Sequence, residues 1–89
     1  MARPQRNPPR DSTDDWLTKP CADPGAEVMR QVALNLRAAI GTRSLREVSR
    51  QSGVHHSVVS KVLEGTAWVE AVTIARLEIG LDVRLWTRV

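Results

Sequence analysis

Apolar residues return every fourth position at Val28, Val32 and Leu36, with Met29, Ala33 and Ile40 alongside. This is one face of an amphipathic helix. Asp23 is a good N-cap, Pro24 suits the first helical position, and Gly41 is a natural stop, so the pattern predicts a first helix between them. Ser44 and Glu47 then form a capping box, which starts a second helix at Leu45 with Leu45, Val48 and Ser49 turned inward. Gly53 ends it, and because glycine takes the left-handed conformation freely, the chain can turn sharply there. A third helix follows, roughly Ser57 to Glu64. Val58, Val59, Val62 and Leu63 form its apolar face; His56, Ser57, Ser60, Lys61 and Glu64 form the other.

A fourth helix fits Val69 to Ile79, with Val72, Leu77 and Ile79 among its apolar positions. From there "LDVRLWTRV" alternates strictly. Leu81, Val83, Leu85, Thr87 and Val89 fall on one side, and Asp82, Arg84, Trp86 and Arg88 on the other, which predicts a β-strand. A lone strand needs a partner. The expected partner is the same strand of a second copy, in a homodimer held through Val83, Leu85 and Trp86.

The first 25 residues carry all five prolines and few apolar side chains. They predict an arm or extended cover. Within it, "STDDWL" suits one helical turn capped by Ser12, with Asp15 at the capping-box position. Such a turn presents Trp16 and Leu17 either to the domain or to a partner. The expected organisation is an extended or partly disordered arm over 1–22, a helical domain over 23–80, and a C-terminal strand over 81–89. The fold class is all-α: a small helix-turn-helix bundle of about four helices, with the arm and the short strand at its ends.

Eighty-nine residues allow one small core. Phe and Tyr are absent and there are three Trp, so that core must be largely aliphatic. Thirteen Lys and Arg against ten Asp and Glu give a net charge of +3, which suits a phosphate-bearing partner without proving one. Cys21 is the single cysteine, which excludes an intrachain disulfide and reads as an incidental loop thiol. No apolar run reaches the roughly 20 residues of a membrane span, and the proline-rich start has no signal-peptide core. The expectation is a soluble, cytoplasmic chain with no membrane association.

Leu45 to Gly65 resembles the helix-turn-helix of the Cro and phage-repressor family of transcriptional regulators, also called the xenobiotic-response-element family. The resemblance rests on Val48 and the small Ser49, on Gly53 and Val54 in the turn, on Val59 and Val62, and on the closing "LEG". It extends to "TIARLEIGLDV" and to the first helix, about two-thirds of the chain. Three features depart from the pattern: His55 stands where a Ser or Thr usually caps the third helix, Ser52 replaces a small apolar residue, and a fifth helix is missing.

The resemblance implies a sequence-specific regulator of double-stranded DNA, a repressor of phage or mobile-element type, with the third helix (55–64) in the major groove. Base contacts then fall to His56, Ser57 and Lys61, with His55 and Ser60 beside them. The residues agree, since His, Ser and Lys offer donors to base edges and phosphates. Lys61 suits guanine O6 and N7; a generic surface lysine is the plainer alternative, as a solvated pair is for the histidines. Phosphate contacts are expected from Ser44 at a helix N-terminus and from Arg43, Arg46 and Arg50. Two copies would place their third helices in successive major grooves, about 34 Å apart, on a roughly palindromic operator.

The arm could reach DNA through Arg3, Arg6 and Arg10. The alternative is an antitoxin that binds DNA and blocks a protein toxin with the segment around Trp16 and Leu17. Adjacent His55 and His56, with only Cys21 as a third candidate, do not make a metal site. No hydrolase constellation or phosphate-binding glycine loop is present, so neither enzyme activity nor a cofactor is expected.

Overall fold

Asp23 opens the first helix through its carboxylate, which accepts from the Ala26 amide at 2.8 Å. In the computed structural model, which describes residues 7–86, helix α1 runs Pro24–Ile40, α2 Leu45–Ser52, α3 His56–Glu64 and α4 Ala71–Leu81. A single 3-10 turn, Pro9–Ser12, precedes them. Arg3 and Arg6, together with Thr87, Arg88 and Val89, lie outside the described residues.

The four helices share one aliphatic core. Val32, Ala33 and Leu36 of α1 meet Val48 of α2, Val59 and Val62 of α3, and Ile74, Leu77 and Leu81 of α4. The α4 helix starts two residues later than its pattern predicts and ends two later. Its buried stripe is therefore Ile74, Leu77 and Leu81, while Val72 and Ile79 face outward at 50% and 81% exposure. Where α4 crosses α2 the backbones nearly touch. A Cβ on Gly80 would lie 2.5 Å from both the Gln51 carbonyl oxygen and the Ser52 Cα.

The C-terminal strand is not present: no β-strand occurs among the described residues. Leu81 belongs to α4, and Asp82 closes that helix in a left-handed conformation with φ 54°. Beyond it the chain folds back on α4 and is fastened there. The Glu78 carboxylate accepts from the Leu85 amide at 2.7 Å and the Trp86 amide at 3.2 Å, and Asn35 donates to the Leu85 carbonyl at 2.9 Å. Leu85 is fully buried in the core. These contacts do within one chain what a second strand was expected to do. Alternation in "LDVRL" has another origin, a helix end followed by one inserted leucine. Of the three expected dimer contacts, Leu85 is thus core, Val83 packs partly against it, and Trp86 is 44% exposed.

Residues 7–22 lie against the bundle. Pro9 and Trp16 are buried, the Arg10 amide donates to the Gly65 carbonyl at 3.0 Å, and Trp68 donates from its indole to the Asn7 carbonyl at 2.8 Å. Ser12 does not cap a turn of its own; its hydroxyl accepts from the Asp23 amide at 2.7 Å, which ties the segment to the start of α1. Glu27 completes that tie. Its carboxylate takes Arg30 through Nε and Nη2 at 2.8 and 2.9 Å, Gln31 at 2.8 Å, and the Cys21 amide at 2.8 Å. Burial pushes the Cys21 thiol pKa up, and the Glu27 charge adds to it.

The Arg30 guanidinium holds the Glu27 carboxyl at about 2, against an ordinary 4.5. A depressed carboxylate stabilises the fold above its unfolded pKa, and that contribution disappears as pH falls from 4.5 towards 2. Glu27→Gln is therefore expected to cost about 1–2 kcal/mol at pH 7, allowing for water around the pair, and much less near pH 2.5. Urea unfolding at the two pH values measures the difference, and an equal cost at both would mean that the charge contributes nothing.

Candidate nucleic-acid interface

The turn between α2 and α3 is built by three residues. Gly53 takes φ 75° and donates to the Ser49 carbonyl at 2.8 Å, closing α2. Ser52 donates from its hydroxyl to the Val48 carbonyl at 2.7 Å and accepts from the Val54 amide at 3.2 Å, so it bridges the helix end and the loop. The serine at this position has a structural use: its hydroxyl bonds two backbone groups at once. Val54 is buried and anchors the loop to the core.

His55 then caps α3, which begins at His56, one residue earlier than the pattern predicts. Its Nδ1 accepts from the Ser57 amide at 3.1 Å and lies 2.8 Å from the Ser57 hydroxyl. The His55 and His56 rings lie 4.2 Å apart at a tilt of 31°. Val59 and Val62 bury the inner face of α3, with Val58 and Leu63 half-buried beside them. His56, Ser57 and Lys61 are exposed and Ser60 is half-buried. Across these first two turns the outer face carries no acid; the nearest on the helix is Glu64 at its far end.

The rim of this face comes from α2. Ser44 caps that helix by accepting from the Glu47 amide at 3.1 Å, while the Glu47 carboxylate turns to Arg50 at 4.0 Å. Arg50 keeps 77% of its side chain exposed in that loose pair. Arg43 donates to the Gln51 side chain at 3.0 Å, and Arg46 is exposed. These four expected phosphate contacts thus sit on or just before one short helix.

At the other end of α3 the charge reverses. Arg10, Asp14, Asp15, Trp16, Leu17, Arg37, Leu63 and Glu64 line an open cleft of about 360 Å³. Arg10 thus shares this cleft with a second cation, Arg37, and three carboxylates, Asp14, Asp15 and Glu64. Trp16 is spent in the core with its indole donating to the Leu63 carbonyl at 3.0 Å, which leaves Leu17, 37% exposed, as the outward residue of that pair. No helix of the described residues is long and apolar enough to cross a membrane.

The arrangement presents a helix held rigidly at both ends. Its outer face shows His56, Ser57 and the cation Lys61, which falls in the last turn ahead of Glu64, and α2 carries the neighbouring arginines. A polyanion with readable edges would meet the face that carries His56, Ser57 and Lys61. Sequence patterns identified the face and singled out Ser52 and Trp16, of which Trp16 takes the first of its two expected places, against the domain. Glu78, which fastens the end of the chain, was missed and carried no signal.

No protein-family model and no curated protein matches the chain. Two solved structures do. The crystal structure of a hypothetical transcription factor from Neisseria, NHTF, aligns with 79% of this chain and 84% of its own, at 23% identity and a TM-score of 0.60, which establishes a shared fold. The restriction-modification controller protein C.AhdI from Aeromonas hydrophila is 33% identical over 61% of this chain and 80% of its own, with a TM-score of 0.49.

Proposed function

We propose that the chain regulates transcription by binding specific sequences in double-stranded DNA, with α3 in the major groove. One observation carries this reading: the first two turns of α3 expose His56, Ser57 and Lys61 with no acid among them, beside a rim of exposed Arg46 and Arg50. The major groove of B-DNA is about 12 Å wide and admits a single helix. Side chains of this length reach base edges from it, and the rim arginines would lie over the phosphates on either side. The fold shared with NHTF supports the reading by analogy.

Repression of a roughly palindromic operator by two copies is the fuller form of the proposal, with the copies brought together on the DNA. Arg43, Ser44, Arg46 and Arg50 take the phosphates. Lys61 takes a guanine.

Lys61→Ala is expected to lose roughly 1–3 kcal/mol on the preferred site and to relax the preference at one base pair, with helical content unchanged. Binding measured across single-base variants of the selected site tests it. Equal weakening on every duplex would move Lys61 to the phosphate contacts. Failure of the wild-type chain to bind any duplex at low salt would remove the DNA reading altogether.

A further inference from the structure

Two contacts at His55 Nδ1, from the Ser57 amide and the Ser57 hydroxyl, bear on where the protons of the cap sit. The Ser57 backbone N–H can only donate, and it donates to His55 Nδ1 at 3.1 Å. That nitrogen therefore carries no proton, and the ring's hydrogen is on Nε2. The Ser57 hydroxyl lies 2.8 Å from the same Nδ1. With no proton on the nitrogen, the hydroxyl is the donor of that pair and shares the one Nδ1 lone pair with the amide. Its hydrogen is thus turned back onto the cap, and its lone pairs are what it offers outward.

We infer that His55 sets the hydrogen-bond polarity of Ser57 and so makes the base preference of α3 depend on the protonation of the cap. The inference rests on the reading of α3 as the helix that meets DNA. With His55 neutral, Ser57 is an acceptor towards the groove and suits the amino groups of adenine or cytosine. When Nδ1 gains a proton it can no longer accept from the Ser57 amide, and it donates to the Ser57 oxygen instead. The hydroxyl hydrogen is then free to turn outward, and Ser57 becomes a donor suited to guanine N7 and O6 or thymine O4. His55 is on this account a positioning residue, and Ser57 the one that reads.

The titratable group facing His55 is the His56 ring, at 4.2 Å. The charged residues of α2 and α3, Arg46, Glu47, Arg50, Lys61 and Glu64, make no hydrogen bond or ion pair with it. Among the described residues His56 is the ring in contact with His55, so its effect must be separated from that of His55.

The test uses the full chain in two measurements. Nitrogen-15 NMR of the free protein at pH 8 should show His55 as the Nε2–H tautomer; the Nδ1–H tautomer would overturn the inference whatever the DNA result. Binding to a set of duplexes varied one base pair at a time is then compared at pH 8 and pH 5.5. At one position the wild type should shift by roughly tenfold from an amino-bearing base towards guanine or thymine. His55→Asn, whose side-chain carbonyl accepts from the Ser57 amide at either pH, should hold one preference throughout. A shift that persists in His55→Asn belongs to His56 and overturns the inference, as does a wild-type preference that stays the same at both pH values. Absence of all duplex binding, with the tautomer as expected, would instead count against the DNA reading.

Discussion

Trp16→Ala is expected to lower the free energy of unfolding by about 3–5 kcal/mol, the range for emptying a buried tryptophan site. Three losses combine. The indole is 7% exposed within the core, its Nε1 donates to the Leu63 carbonyl at 3.0 Å, and its ring lies against Gly65 so closely that a Cβ there would fall under 3.0 Å from it. The Leu63 carbonyl sits in the last turn of α3, where the helix has no partner of its own to offer. Trp16→Phe separates the terms, since it keeps an aromatic filling and should cost about 1–2 kcal/mol for the bond.

Urea unfolding followed by circular dichroism measures both variants. A Trp16→Ala loss below about 1 kcal/mol would mean that the segment is not part of the fold, and would return it to the role of a partner-binding arm. A double-mutant cycle sharpens the result. Gly65→Ala adds both a clash with the indole and a left-handed alanine at φ 69°, and without Trp16 only the second cost, about 1–2 kcal/mol, should remain.

Gly80→Ala is expected to destabilise by about 1–3 kcal/mol, opposite in sign to the usual effect of removing a helical glycine. By propensity alone the change would stabilise by about 1 kcal/mol. Here the new methyl would stand 2.5 Å from the Gln51 carbonyl oxygen and the Ser52 Cα, and both are backbone. No side chain can move aside, so α2 and α4 must separate and overpacking outweighs propensity. Thermal unfolding of Gly80→Ala decides the sign. A rise in melting temperature would show that the helices have room to part. Because the contact falls at the end of α2, the variant should also weaken the proposed DNA binding beyond its effect on stability.

The sequence patterns located α1 and α2 because their signals are local. Asp23 and Ser44 make the cap bonds their positions suggest, and Gly53 turns the chain where a left-handed residue was needed. The third helix was nearly as legible; only its start moved, since an imidazole can accept a cap bond as a hydroxyl does. The end of the chain failed because period-two alternation also arises when a helix stops and an extended piece inserts one side chain. The deciding contacts, Glu78 with the Leu85 and Trp86 amides and Asn35 with the Leu85 carbonyl, span 7, 8 and 50 residues and leave no periodic trace. The Trp16–Leu63 bond, 47 residues apart, is hidden for the same reason. At the candidate site the exposed face followed from helical periodicity. Which of its residues support the others, as His55 does Ser57, required the atoms.

The two fastenings of α3 also bear on how such a site could change over time. His55 holds its first turn, while Trp16 and the Arg10 amide bond to backbone carbonyls at its last. Neither fastening takes a hydrogen bond from the side chains of His56 or Lys61, which remain exposed, though the His56 ring lies against that of His55. On the proposed reading, substitutions at these two positions can alter what the helix recognises at little cost to folding, so drift in a target sequence can be followed one residue at a time. Ser57 has less freedom, because its hydroxyl is tied to the cap, and is expected to be the slowest of the three to diverge.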